Sequence, residues 1–363
     1  MSFSHRLLAS VTLSLSLTNL ANAQCDVAAQ ADKYFQPLIQ SQTAYAAALV
    51  YVLGGAPPQL RVYGNSVSGR TLWRAASVSK ALTALAVMQL AEQGKLPLDS
   101  DIREFVPATA IRSHYNHPVT LRELLMHRGG VDDHFIGDGF SDGQQPTMTE
   151  IVAQKPLDVV YEPGKIEFYS NYGYALLGAA IEKASGERYE QYMQTHVLQP
   201  LGMNDSSFQQ PLPTSWLSRM APGKWVYQHA APAAALTTTS EDMGRFLSAT
   251  LNRASSVVSS ESFDQMVPPS ADGVRLMHGL GYWTGQDRGQ RLVAASGDIE
   301  QFHNVLVALP ELRSGFAVMI SGPSNSLAWE FYSRFMDACV PPTEKVAPTS
   351  SEAMPASEMD QGT

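Results

Sequence analysis

Apolar and polar positions along the chain change period twice. Asp26 to Gln40 carries a helical apolar period through Ala29, Tyr34 and Leu38. Ala44 to Val52 and Gln59 to Tyr63 then read as two strands joined by a Gly/Pro turn. From Ser77 to Gln93 the period is helical again, through Leu82, Leu85, Met88 and Leu90, and Gly94 ends it. Further helices are expected over Leu121–His127, Tyr172–Ala184 and Ser240–Leu251, the last opened by Thr238 with Glu241 as a capping box. After about residue 255 the texture turns to short β-rich runs, Gly289–Ala295, Phe302–Leu309 and Gly315–Ile320. An amphipathic helix over Ser324–Ala338 closes the pattern. Strands early, helices in the middle and strands again late imply one antiparallel sheet built from both ends of the chain, with a helical domain inserted.

Composition narrows the class. Of 363 residues 44% are hydrophobic and 16% charged, which is globular rather than disordered. A net charge of −9 argues against a nucleic-acid partner, whose phosphates need a basic face. His5 and Arg6, the apolar stretch Leu7–Ala21 and Ala21-Asn22-Ala23 read as a signal peptide cleaved after Ala23. Export to the periplasm or medium is the expectation, with no membrane anchor, since no apolar run is long enough to span. In that setting Cys25 and Cys339 could pair across the ends of the fold, or stay two unrelated thiols. Neither they nor the histidines have metal-ligand spacing, so no metal or other cofactor is expected. The resulting division is residues 1–23 leader, 26–75 with 255–339 the sheet-bearing domain, 76–254 the helical domain, and 340–363 a disordered tail.

The sharpest chemical feature is Ser77-Val78-Ser79-Lys80. Among eight lysines only Lys80 has a serine three positions before it. On a helix that spacing puts both side chains on one face, while Ser79 points elsewhere. Ser77 also stands where free N–H groups and the positive dipole end are available. A simple N-cap with a solvated lysine is the plain alternative. Two further groups bear on it: Tyr169-Ser170-Asn171 at a loop–helix junction, and Ala295-Ser296-Gly297 at the end of an expected strand.

Taken together, Ser77-x-x-Lys80, Tyr169-x-Asn171 and Ala295-Ser296-Gly297 resemble, in that order, the three motifs of the serine β-lactamase and penicillin-binding-protein family. The likeness is nearest to its class C β-lactamase, D,D-peptidase and family VIII esterase branch. Leu121–His127, Pro163–Tyr174, Pro200–Met203 and Ala235–Leu247 are similar too, so the resemblance spans roughly residues 30 to 338. It implies an α/β, β-lactamase/transpeptidase-like fold, in which an antiparallel sheet is flanked by N- and C-terminal helices with an inserted all-helical domain. It implies Ser77 as acylated nucleophile, Lys80 and Tyr169 as proton-transfer partners, and Asn171 as a substrate contact. Ser296 and Gly297 would line the site, and the N–H groups of Ser77 and Asp298 would form the oxyanion hole. Which of Lys80 and Tyr169 takes the proton stays open. The family usually has Lys or His where this chain has Ala295, a side chain with neither charge nor hydrogen bond.

That departure favours an esterase, acyl hydrolase or transacylase acting on a small ester, amide or peptide. The alternatives are a D,D-carboxypeptidase or D-aminopeptidase, a weak class C-like β-lactamase, or a catalytically weak binder of cell-wall peptides or a partner. Gly139-Phe140-Ser141-Asp142-Gly143 has the string of an α/β-hydrolase elbow but loop on both sides. Asp132-Asp133-His134 reads as a solvated acidic loop. Tyr63-Gly64-Asn65 reads as a hairpin turn and His127-Arg128-Gly129 as a helix end. Phe135, Ile136 and Phe140 are candidates for a mobile acyl-pocket wall.

Overall fold

A computed structural model of the chain describes residues 25–133, 139–140, 145–270 and 276–340. The expected leader, the expected tail after Val340, Ser141–Gly143 of the elbow-like string and Phe135–Ile136 of the expected pocket wall lie outside the described residues. In chain order the elements that position the site begin with helix α1 (Val27–Gln40), strand β1 (Ala46–Val52) and strand β2 (Gln59–Tyr63). Helices α2 (Ser79–Glu92), α3 (Asn171–Ser185) and α4 (Ser240–Leu251) follow. Strands β3 (Leu276–His278), β4 (Trp283–Asp287), β5 (Gln290–Ile299), β6 (Phe302–Leu309) and β7 (Ser314–Ser321) precede the last helix, α5 (Ser326–Cys339).

The seven strands form one sheet in the order β2-β1-β7-β6-β5-β4-β3, with every pairing antiparallel. Strand β1 from the start of the chain enters beside β7 from its end, Leu49 facing Val318. Successive residues of β1 point to opposite faces and both faces are covered. Ala47, Leu49 and Tyr51 join a core with Phe35 of α1 and Phe331 and Phe335 of α5. Ala46, Ala48 and Val50 join the larger core shared with α2 and α3. That double burial is why β1 reads as a continuous apolar run rather than an alternation.

Helix α4 covers the second face of the sheet: a Cβ on its Gly244 would lie 2.8 Å from Val50 of β1, and Leu247 reaches Gly315 of β7. Its capping residue is Thr239, whose side chain accepts the Asp242 N–H at 3.1 Å, rather than the expected Thr238. Thr238 Oγ1 is taken up instead with Ser206 Oγ at 2.7 Å, a long-range contact that the local pattern does not contain. Among the described residues three short strand pairs lie outside that sheet: Leu72–Arg74 with Thr237–Thr239, Ile111–Arg112 with Leu157–Asp158, and Gly139–Phe140 with Tyr227–Gln228.

Cys25 and Cys339 are joined by a disulfide, Cα atoms 4.9 Å apart and 314 positions apart in sequence. It ties α1 to α5 on the face away from Ser77. Removing a link across so long a loop costs about 2–5 kcal/mol. Cys25→Ser is therefore expected to lower the thermal midpoint by roughly 4–20 °C at 2–4 °C per kcal/mol. Activity at 25 °C should be unchanged; an unmoved midpoint in calorimetry counts against the link as a stabilising element.

Candidate active site

Ser77 does not stand on α2 itself. It lies in a single 3₁₀ turn, Ala76–Val78, that leads into the helix. Ala76 before it has φ +49°, in the left-handed region that alanine rarely adopts. The turn is pinned on both sides: Ala75 N–H donates to Leu236 C=O at 2.9 Å, and Asn304 Nδ2 donates to the carbonyls of Arg74 (2.9 Å) and Gly297 (3.1 Å). A strained backbone held by such long-range bonds is the kind of feature that accompanies function.

Two groups, one helix-borne and one loop-borne, meet at Ser77 Oγ. Tyr169 OH donates to it at 2.8 Å, and Lys80 Nζ lies 3.1 Å away. Lys80 also donates to Asn171 Oδ1 at 2.7 Å and to the Ala233 carbonyl at 3.3 Å. Its side chain is buried, under the rings of Tyr169 (4.5 Å) and Tyr174 (5.5 Å). Burial pushes the Lys80 ammonium down to about 7, partly offset by the negative charge of Asp133. Burial acts on Tyr169 the other way, holding it as a neutral phenol well above its ordinary value despite the bond to Ser77. Ser79, as its spacing implies, faces away, donating to Ala76 C=O and accepting from Leu236 N–H.

The third motif runs along β5 in mid-strand, not at a strand end: the pairing with β6 continues to Ile299. Gly297 accounts for the difference. A Cβ there would sit 2.2 Å from Ala75 O, 2.7 Å from Ser77 N and 2.9 Å from Val78 N. Its glycine marks a close backbone approach within a strand rather than a break. Ser296 is half-buried and Ala295, 4% exposed, presents only a methyl group to the core beside the site. Asp298 turns its carboxylate to His303 Nδ1 at 2.7 Å, and His303 Nε2 lies 3.0 Å from the Gly322 carbonyl.

Two residues read from sequence as periphery stand against the site. Asp133, expected on a solvated loop, is 4% exposed and accepts from Asn171 Nδ2 (3.0 Å) and Tyr172 N–H (2.9 Å). What buries it is the start of α3, whose first N–H groups lack helical acceptors. His127 does follow a helix, Leu121–Leu125, but it also clamps the tyrosine segment. Its carbonyl accepts Phe168 N–H at 2.7 Å, its Nδ1 accepts Ser170 N–H at 3.1 Å, and its ring stacks on Tyr169 at 4.2 Å. Burial keeps that imidazole neutral, well below its ordinary value, as an acceptor at Nδ1 requires. Beyond it His278 packs edge-on and faces Glu167 at 2.5 Å. Neither Asp133 nor His127 carried a local signal; the free donors at the start of α3 are the nearest thing to one.

The beta-lactamase family model matches residues 31–330, and those residues hold every group just described. The chain belongs to the beta-lactamase family. Members of that family are serine hydrolases. Among curated relatives, protein flp of Staphylococcus aureus strain MW2 is 24% identical over 269 residues, 69% of this chain and 53% of that protein. Penicillin-binding protein 4* of Bacillus subtilis strain 168 is 32% identical over 141 residues, 38% of this chain and 30% of that one. The chain thus spans about half the length of the first relatives it matches. A solved β-lactamase/D-alanine carboxypeptidase from Yersinia pestis, complexed with citrate, shares the β-lactamase/transpeptidase-like fold at a TM-score of 0.72. It is 19% identical, with 87% of this chain and 99% of that one covered. No helix among the described residues is long and apolar enough to cross a membrane.

Proposed function

We propose that this chain is an esterase-type acyl hydrolase or transacylase that works through an acyl-enzyme on Ser77. The observation that carries the reading is the convergence of Lys80 Nζ and Tyr169 OH on one serine oxygen, with the lysine buried. As a neutral amine Lys80 has two N–H groups, which Asn171 Oδ1 and the Ala233 carbonyl accept, and one lone pair for Ser77. Ser77 Oγ then bonds to the substrate carbonyl carbon while its proton passes to Lys80. The carbonyl π pair moves to oxygen, held by the N–H groups of Ser77 and Asp298. Collapse breaks the bond to the leaving group, which takes a proton from Tyr169, and Lys80 returns a proton to the phenolate. Water or another nucleophile releases the acyl group by the reverse path.

Ala295 supports an acyl donor without the carboxylate of a penicillin or a peptide ending in D-Ala, because a methyl group cannot hold an anion. A D,D-peptidase is the second reading, supported by the names of the penicillin-binding relative and the carboxypeptidase neighbour. Export fits both: the leader-like first 23 residues and the Cys25–Cys339 bond belong with an oxidising compartment.

Mass spectrometry after incubation with a p-nitrophenyl ester, a fluorophosphonate and benzylpenicillin separates these. The ester and the fluorophosphonate are expected to add mass to the Ser77 peptide, with turnover of the ester. No adduct from any of the three overturns the hydrolase reading; a penicillin adduct without ester turnover moves it to the peptidase. Ala295→Lys is expected to speed penicillin acylation about tenfold or more, the scale of one charge-assisted hydrogen bond. An unchanged rate counts against the part assigned to position 295.

A further inference from the structure

The two carboxylate oxygens of Asp133 have separate tasks. Oδ1 accepts the Tyr172 N–H in the first turn of α3, and Oδ2 accepts Asn171 Nδ2. With its N–H groups directed to Asp133, Asn171 turns Oδ1 toward Lys80 Nζ, 2.7 Å away. Turned over, the amide would set donor against donor at Lys80 and acceptor against carboxylate at Asp133. A buried negative charge and the buried lysine are therefore joined through one amide whose orientation the carboxylate dictates.

We propose that Asp133 is a positioning residue for acylation: it orients Asn171 and thereby aims the Lys80 lone pair at Ser77. The proposal rests on the reading of Lys80 as the base.

The charged and titratable surroundings make Asp133 the dominant charge on Lys80 among the described residues. Tyr169 and Tyr174 are both held neutral by burial, and so is His127 stacked on Tyr169. Asp298 acts on Tyr169 from β5, and Asp132 beside Asp133 is half-buried. For Lys80 itself burial and Asp133 act in opposite directions. The carboxyl of Asp133 is in turn raised by burial and drawn back by Tyr172, Asn171 and Lys80. Taking away the carboxylate charge removes what favours the ammonium. Lys80 then loses its proton at lower pH, and the rising limb of the pH–rate profile moves toward acid.

The test is the pH profile of acylation by p-nitrophenyl acetate in the full chain. Asp133→Asn keeps the volume and an acceptor for Tyr172 but meets Asn171 donor to donor. Its plateau rate is expected to fall about tenfold or more with KM nearly unchanged, and its rising limb to move down by about one pH unit. The exchange Asp133→Asn with Asn171→Asp restores the donor–acceptor match and brings the charge next to Lys80. It is expected to regain much of the rate, with the limb above that of the unaltered protein.

An Asp133→Asn profile like that of the unaltered protein overturns the proposal. So does a loss of rate in both variants with the limb unmoved, as a merely structural role would give. If Asp133→Asn does not fold, the exchange decides alone: a raised limb supports the proposal and an unmoved one overturns it. Unaltered protein that acylates Ser77 with no limb near pH 7 overturns the base reading itself, whatever the variants do.

Discussion

Lys80→Ala is expected to slow acylation of Ser77 by about 10²–10⁴-fold, the range that a positioned general base contributes. The argument is geometric before it is electrostatic. Nζ has three neighbours, Ser77 Oγ, Asn171 Oδ1 and the Ala233 carbonyl, and the last two can only accept. A neutral amine satisfies both and keeps a lone pair for the serine. Burial supplies that neutral form by bringing the ammonium down to about 7, so the unaltered rate should climb with pH through neutrality and level off above it. Tyr169 is placed as well but holds its proton, because burial raises the phenol far above the working range. Lys80→Arg should not rescue the rate, since a guanidinium does not deprotonate. Stopped-flow acylation by a p-nitrophenyl ester between pH 5.5 and 9 reads all of this. A near-normal rate in Lys80→Ala, or a flat profile in the unaltered protein, removes Lys80 from the base role.

Much of the site was legible because its logic is local. The i, i+3 spacing of Ser77 and Lys80 survives the finding that the serine sits in a 3₁₀ turn, since Nζ still reaches Oγ. The bounds of α4 and β6 agree with the apolar pattern to the residue, each being one uninterrupted period. What escaped was set by distant partners. Asp133 looks solvated beside Asp132 after two glycines, and only the free amides of α3, some forty positions on, make it a buried acceptor. Either threonine before α4 could cap it, and Ser206 decides by engaging Thr238. Strands β3 and β4 are short and carry little alternation; β4 takes its pairing from β5, and the edge strand β3 takes its own from β4.

Gly297→Ala is expected to lower kcat for ester hydrolysis by about 10²–10³-fold, the scale of losing one oxyanion donor. The added methyl would meet backbone on three sides, Ala75 O at 2.2 Å, Ser77 N at 2.7 Å and Val78 N at 2.9 Å. No rotamer change relieves that, so either β5 or the Ser77 turn must move by something near an ångström. Both carry the N–H groups assigned to the oxyanion, one from Ser77 and one from Asp298, and their separation defines the hole. A displacement on that scale costs about 10²-fold even where every side chain remains. The turn is the less free to yield, since Asn304 ties it to β5 and Leu236 holds Ala75. Strand β5 is held there along one edge, by β6, with Gly297 paired to Asn304; its pairing with β4 ends at Ala294. The variant should therefore fold at some cost in thermal midpoint and bind ester with little change in KM, while the chemical step slows. A Gly297→Ala protein with unaltered kcat would mean that the hole lies elsewhere than between the Ser77 turn and β5.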